Sequence, residues 1–186
     1  VPAVIDADGL NGLAQSYHWW ESLRSPAVLT PHPGEMSRLL GRSVSSVQDD
    51  RVDTARIAAA QWDQVVVLKG AHTVVSAPDG RMTISRFANP ALASVGTGDV
   101  LAGIIGGLLA QGLTTYDAAR LGVVVNGLRL GHAKHVETAM TNQIGAGDLV
   151  DHALQFKIAA FLEGLDHGRT PERPFDMGRE TELLVR

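Results

Sequence analysis

The chain has 186 residues, of which 45% are hydrophobic and 5% aromatic, and its formal net charge is −4. This composition favours one globular domain with a sizeable core, and the mixed, slightly acidic charge argues against a nucleic-acid surface or a basic membrane-binding face. Cysteine is absent, which excludes disulfides and cysteine-ligated metal sites and fits a cytoplasmic location. The longest uncharged apolar run, Val100–Leu113, is too short for the roughly 20 residues of a membrane span.

Short apolar segments alternate with helical patterns along the first half of the chain. Strands are predicted at Ala3–Asp6, Ala27–Thr30 and Val65–Lys69, and helices at about Leu13–Leu23 and Asp50–Trp62, with short helical turns through Leu40. This alternation predicts a mostly parallel sheet with helices on both faces. The segments "HTVVSA" and "RMTISRF" then flank "PDG" and predict an antiparallel hairpin. Two further helices are predicted at Asp99–Gln111 and Tyr116–Lys134.

The first residues, "VPAVIDADGLNG", fall within a predicted strand, with neither methionine nor the charged start of a signal peptide. We interpret the sequence as a fragment, or as a chain numbered from an internal cut. About three parallel strands are visible, fewer than a doubly wound sheet usually has. We therefore expect the sheet to be completed by a missing N-terminal segment or by another chain, as in a homo-oligomer.

A glycine-containing turn precedes the most apolar helix. Gly96, Thr97 and Gly98 come directly before its first turn, where glycine backbone and unpaired helical N–H groups suit a phosphate. Asp99 would repel that phosphate unless it serves a second reactant, for example by taking a proton from an attacking hydroxyl. Asp99 could instead cap the helix. In the helix itself, the i, i+4 spacing of Gly103 and Gly107 predicts close packing on a neighbouring element.

Polar residues follow each predicted parallel strand. They are Asp6, Asp8 and Asn11 in "DADGLN", His32 and Glu35 in "TPHPGE", and Lys69, Gly70, Ala71, His72 and Thr73 in "KGAHT". Ligands of open α/β sheets bind at the carboxyl ends of strands, so we expect these groups to converge. Lys69 would neutralise phosphate charge, amides of "KGAHT" would contact a nucleotide, His32 would position the acceptor, and a carboxylate could hold Mg²⁺. Each residue also has a local interpretation, as a helix cap, a turn or a solvated strand end.

Two other groups of residues favour structural roles. His132 and His135 have the i, i+3 spacing of a metal pair, but no third ligand is evident and a solvated helix end is favoured. Trp19 and Trp20 are predicted as core and interface residues. No metal site made by protein ligands alone is predicted.

Four segments taken together resemble the ADP/ATP-dependent NAD(P)H-hydrate dehydratases of the ribokinase-like superfamily. They are "IDADGLN", "LTPHPGEMSRLLG", "VVLKGAHTVV" and "GTGDVLAGIIGGLLAQG", in the family's order, and the resemblance spans Val4–Asp151. It implies a three-layer α/β/α fold with a mostly parallel sheet that lacks the family's N-terminal third. We accordingly expect a partial ribokinase-like nucleotide-binding domain at 1–153, followed by a C-terminal helix and polar tail at 154–186.

The resemblance implies a lyase that repairs nicotinamide cofactors. ATP or ADP, with Mg²⁺, phosphorylates the ring hydroxyl of hydrated NADH or NADPH, and phosphate then leaves. Asp99 matches the family's catalytic base, and His32 matches a residue that contacts the hydrated cofactor, near which we place Asp8, Asn11 and Glu35. The segments 69–73 and 96–98 match positions at the nucleotide.

The sequence departs from the family at three positions. Ala91 and Val95 stand where glycines are usual before the turn, and Asn126 replaces a histidine in an "HG" pair. Two alternatives therefore stay open: a thiazole- or pyrimidine-alcohol kinase, and a non-catalytic nucleotide-binding module of a larger assembly. "TPHPGE" and "DADGLN" favour the dehydratase over the kinase.

Overall fold

The computed structural model describes residues 1–86 and 96–127. These residues belong to one compact unit of the chain, Val1–His135. No helix within them is long and apolar enough to cross a membrane. The predicted boundary at residue 153, the tail 154–186, the histidine pair at 132 and 135, and the departures at Ala91 and Val95 all lie outside the described residues and remain predictions.

The described sheet has five strands in the order β1-β2-β3-β4-β5. They are β1 (Ala3–Ile5), β2 (Ala27–Leu29), β3 (Val65–Leu68), β4 (Val74–Ser76) and β5 (Met82–Ile84). The first three are parallel, and β4 and β5 add to β3 as an antiparallel hairpin. The predicted sheet and hairpin are confirmed. Each parallel strand ends one residue before its predicted end, so that Asp6, Thr30 and Lys69 lie just beyond the carboxyl ends of β1, β2 and β3.

The helices are α1 (Asp8–Leu13), α2 (Pro33–Leu40), α3 (Val44–Asp49), α4 (Arg51–Trp62) and α5 (Thr97–Ala110), and residues 115–127 are also helical. The prediction of a helix at Leu13–Leu23 is wrong. The chain turns into α1 directly after β1, and His18, with a left-handed φ of 53°, precedes a short 3₁₀ turn at Trp19–Ser22. Leu13 is the last residue of α1 and Trp19 the first of the 3₁₀ turn, so the apolar spacing that predicted one helix comes from two separate elements.

Helices cover both faces of the sheet. Successive side chains of a strand point to opposite sides, so the apolar strands need a partner layer on each face. On one face, Val66 and Leu68 pack with residues of α1 to α4 in a cluster that includes Trp19 and Trp62, and the core position predicted for Trp19 is confirmed. On the other face, Thr83 lies opposite Val75, and its hydroxyl is 2.9 Å from that of Tyr116 in the helix at 115–127. The sheet is thus the middle of three layers.

Close packing of α5 on its neighbour is not found at the two glycines that the sequence singled out. A methyl group at Gly103 or Gly107 would meet no described atom within 4 Å. A Cβ at Gly122, in the next helix, would instead lie 2.6 Å from Cγ1 of Ile105. Within the described residues, close helix packing therefore depends on Gly122, and the role predicted for Gly103 and Gly107 finds no support there.

Candidate active site

The ends of β1, β2 and β3 converge on the side chain of Lys69. Its Nζ lies 2.6 Å from Oδ1 of Asp6 and 3.7 Å from Oε2 of Glu35. The Lys69 and Asp6 side chains are only 19% and 12% exposed. The backbone N–H of Lys69 donates to the carbonyl of Pro31 at 2.8 Å, which fixes the end of β3 against the residues after β2. A largely buried ammonium group is therefore held between two carboxylates at this edge of the sheet.

The glycine turn lies directly against this ion pair. A Cβ at Gly98 would be 3.3 Å from Oδ2 of Asp6, closer than most Cβ contacts, and 3.4 Å from Nζ of Lys69, which is the near limit of ordinary contact. α5 begins after Gly96, whose φ of 85° favours glycine, and no side chain caps the helix. Asp99 therefore does not cap the helix, and its side chain is exposed in the first helical turn. The first N–H groups of a helix lack intrahelical acceptors, and they carry the positive end of its dipole.

His32 and Glu35 form a reciprocal capping box at the start of α2. Nδ1 of His32 accepts from the backbone N–H of Gly34 at 2.9 Å and of Glu35 at 3.2 Å, while Oε2 of Glu35 accepts from the N–H of His32 at 2.7 Å. The local interpretation of this pair is thus correct. It also has a chemical consequence, because an Nδ1 that accepts must be unprotonated. In the neutral ring the proton then lies on Nε2, which faces Oε1 of Glu35 at 3.4 Å, and half of the side chain is exposed.

The backbone after β3 is supported by an arginine that the sequence analysis did not identify. Nη2 of Arg51, at the start of α4, donates to the carbonyls of Leu68 and Lys69 at 3.1 and 3.2 Å. Gly70 has a φ of 148°, and a Cβ there would collide with Nη1 of Arg51. Partial burial lowers the pKa of Arg51. Arg51 therefore fills the space that a side chain at position 70 would need.

A cleft runs from Lys69 and the glycine turn to the helix at 115–127. The described residues that line it are Lys69, Gly70, Thr73, Ser85, Thr97, Gly98, Leu101, Val123 and Asn126. Five of these residues were predicted to contact the nucleotide, namely Lys69, Gly70, Thr73, Thr97 and Gly98. Ser85 was missed, although the hairpin pairing that brings it to Thr73 could have shown it: its N–H donates to the Thr73 carbonyl at 2.9 Å. Leu101 and Val123 have no sequence signal beyond their helical periodicity.

The remaining predicted residues lie at the same edge of the sheet but do not line the described cleft. Asp8 is exposed in the first turn of α1, and Oδ1 of Asn11 accepts from Nε of Arg38 at 3.0 Å. Ala71 and His72 are exposed, and Nδ1 of His72 lies 3.1 Å from the carbonyl of Ser85. The sequence placed Asp6 at this edge without assigning it to the substrate or the nucleotide, and the structure pairs it with Lys69.

The described side chains do not form a complete set of metal ligands. Within residues 1–86 and 96–127, no group of three or more histidine, aspartate or glutamate side chains is arranged to hold a metal ion. A divalent cation at this site would need ligands from a bound molecule, which is the usual arrangement for Mg²⁺ on nucleotide phosphates.

Three parallel strands, an added hairpin and a glycine turn at the head of a helix define a ribokinase-like α/β fold with its site at the carboxyl end of the sheet. The fold matches a ribokinase-like superfamily protein from Enterococcus faecalis, with a TM-score of 0.59 and 25% identity over 87% of this chain and 52% of the other.

The particular family follows from the sequence match. The family model of NAD(P)H-hydrate dehydratase matches residues 1–148, and the chain belongs to that family. It is 46% identical over 153 residues to the bifunctional NAD(P)H-hydrate repair enzyme Nnr of Moorella thermoacetica, covering 81% of this chain and 28% of that one. The ADP/ATP-dependent NAD(P)H-hydrate dehydratase of Bacillus subtilis, co-crystallised with ATP/Mg²⁺, has 38% identity and a TM-score of 0.60 over 68% of this chain and 44% of its own. The chain thus spans less than half the length of these two relatives.

Proposed function

We propose that this chain carries the nucleotide-dependent step of NAD(P)H-hydrate dehydration, with ATP or ADP as phosphoryl donor and Mg²⁺ as the accompanying cation. The enzyme would be a lyase that restores NADH or NADPH from the hydrated forms. The observation that carries the proposal is the position of Gly98 against the Lys69–Asp6 pair, with the exposed Asp99 next along the helix. Family membership and the Bacillus relative's co-crystallisation with ATP/Mg²⁺ support it.

The donor's reactive phosphoryl group would bind at the N-terminus of α5. The backbone N–H groups of Gly98 and Asp99 lie at the N-terminus of the helix, which is the positive end of its dipole and suits an anion. The ammonium group of Lys69 has three N–H donors, and the bond to Asp6 uses one of them. The others remain for phosphate oxygens, so the ion pair holds Lys69 ready to neutralise charge that develops during transfer.

Asp99 would act as the general base. The ring hydroxyl of the hydrated cofactor gives its proton to the carboxylate as its oxygen attacks the donor's terminal phosphorus, and the bond from that phosphorus to the departing nucleotide breaks. The ring nitrogen's lone pair then expels phosphate from the ring carbon, and the neighbouring carbon loses a proton to restore the dihydropyridine. Asp99 is exposed, as a general base must be, because its carboxylate has to contact the substrate.

The acceptor would lie on the side of β1 and β2, and the donor on the side of β3. The half-exposed ring of His32 would lie on the acceptor side, held at Nδ1 by two backbone N–H groups and at Nε2 by Glu35. Glu35 orients that ring, and Asp8 and Asn11 follow β1 at the same edge. We therefore assign these four residues to the hydrated cofactor, and 69–73 with 96–98 to the nucleotide.

The described residues supply only some of the ligands that Mg²⁺ needs. Asp6 and Glu35 are the carboxylates that contact Lys69, and Mg²⁺ commonly takes one or two carboxylates together with substrate phosphates and water. When bound, the ion would neutralise phosphate charge.

The assembly and location of the protein are also proposals. β1 lies at an edge of the described sheet, and its outer side pairs with no described strand. We propose that an upstream segment or a second copy of the chain pairs there, that residues 1–153 are the nucleotide-binding domain, and that the enzyme works in the cytoplasm.

Recovery of reduced-nicotinamide absorbance tests the proposed function. The protein is mixed with hydrated NADH, Mg²⁺ and ATP or ADP, and absorbance should return in step with phosphate release. ATP consumption with a thiazole or pyrimidine alcohol, but no recovery with hydrated NADH, would instead identify the kinase. Calorimetric binding of ATP with turnover of neither substrate would identify a non-catalytic module.

A further inference from the structure

Asn126 is a buried polar residue of the cleft that the proposed mechanism does not use. Asn126 is only 4% exposed and lines the cleft that begins at Lys69 and Gly98. Its Oδ1 has no hydrogen-bond partner among the described residues. Buried side-chain oxygens almost always accept a hydrogen bond, and an unsatisfied one is costly. Such an oxygen takes its donor from water or from a ligand, and this one lines the cleft in which we place the nucleotide.

The composition of the cleft limits which part of a ligand can meet Asn126. Lys69 and Gly98 form its cationic and amide end, which suits phosphate. Leu101 lies one helical turn beyond Gly98, and Val123 lies three residues before Asn126 on the same face of its helix. These two side chains form an apolar wall, beside the polar side chains of the cleft, Thr73, Ser85 and Thr97. An apolar wall suits a sugar or base better than a polyphosphate.

The chemistry of Oδ1 narrows the choice further. A carboxamide oxygen only accepts hydrogen bonds, and the ionised oxygens of a polyphosphate also only accept. The nucleoside carries the donors, namely the ribose hydroxyls and the amino group of adenine. We propose that Asn126 recognises the nucleoside of the phosphoryl donor by accepting a hydrogen bond from one of these groups. This inference depends on the proposed nucleotide-binding function.

Calorimetric binding to the intact protein, without the hydrated cofactor, tests this assignment. Asn126→Ala should weaken ATP binding about tenfold, the effect of losing one buried hydrogen bond, and leave binding of inorganic tripolyphosphate unchanged. Equal weakening of both ligands, or of neither, would overturn the proposal. Gln61→Ala, an exposed residue at the end of α4, is the control and should bind both ligands as the wild type does.

Nucleotide analogues distinguish the possible donors. ATP analogues that lack the 2′-hydroxyl, the 3′-hydroxyl or the 6-amino group are compared in wild type and Asn126→Ala. The analogue that lacks the bonded group should bind wild type about tenfold more weakly than ATP does and should be insensitive to the substitution. If every analogue loses affinity on substitution as ATP does, the inference is wrong.

Two further outcomes keep this inference separate from the proposed function. Asn126→Leu should match Asn126→Ala in ATP affinity, and its urea unfolding midpoint should be no lower than that of wild type, because no intramolecular bond is lost. A lower midpoint would show that Asn126 is structural. Nucleotide binding without dehydration would refute the activity and leave the role of Asn126 standing, whereas a wild type that binds neither ATP nor ADP would refute both.

Discussion

Nζ of Lys69, at the end of β3, lies 2.6 Å from Oδ1 of Asp6, at the end of β1, although 63 positions separate them in the chain. Both side chains are largely buried, and Gly98 packs against the pair. The ion pair therefore joins two strand ends to the N-terminus of α5. It has a structural role and a proposed catalytic one, and the two can be separated by experiment.

Lys69→Met should destabilise the protein by about 3 kcal/mol, because it leaves the carboxylate of Asp6 buried without its partner. Adding Asp6→Asn should recover most of that loss, since a neutral amide needs no counter-charge. The double variant should still bind ATP weakly, because the cation is gone. Urea unfolding and calorimetry measure the two effects. ATP affinity that recovered together with stability would show that Lys69 does not contact the nucleotide.

Gly98→Ala should weaken ATP binding by up to roughly tenfold, because the added Cβ shifts the Asp6–Lys69 pair by a few tenths of an ångström and stands where the phosphate is expected to approach. Gly103→Ala is the matched control in the same helix. A methyl there meets no described atom within 4 Å and should stabilise the helix by up to about 1 kcal/mol without changing ATP affinity. Equal ATP affinities for the two variants would contradict the packing of Gly98 on the site.

Asp99→Asn should lower kcat for dehydration about 100- to 10,000-fold, which is the usual contribution of a positioned general base, and should leave ATP affinity within a few fold. Steady-state kinetics with hydrated NADH and calorimetry with ATP measure the two quantities. Asp79→Asn, in the exposed turn of the β4–β5 hairpin, should keep the wild-type kcat. A kcat for Asp99→Asn near that of wild type would remove Asp99 from the mechanism.

Gly70→Ala should destabilise the protein by more than about 1 kcal/mol, because a Cβ there collides with the guanidinium of Arg51 and φ is 148°. Arg51→Ala in the same chain should relieve the collision and leave only the backbone strain. The two substitutions should therefore cost less together than the sum of their separate costs in urea unfolding. Strict additivity would show that the two residues do not compete for space.

The amino-acid pattern alone predicted the parallel strands, the hairpin and the sheet edge at which the candidate site lies. Apolar runs predicted the three parallel strands to within a residue at each end, and the "PDG" turn predicted the hairpin, because burial on both faces and hairpin geometry are local properties of sequence. The polar residues after those strands were expected to converge, and Lys69 and Glu35 do lie in contact. The helix expected at Leu13–Leu23 was wrong because two separate elements share one apolar spacing.

Long-range packing decided the rest. Nothing near position 6 in the sequence indicates that Asp6 pairs with Lys69, and nothing near position 51 indicates that Arg51 supports the backbone of Lys69. The partnerless Oδ1 of Asn126 depends likewise on which side chains the described fold brings within reach. Composition and periodicity determine which elements form and which face is buried. Contacts between residues tens of positions apart exist only after the strands have aligned, because side-chain reach is a few ångströms whatever the separation along the chain.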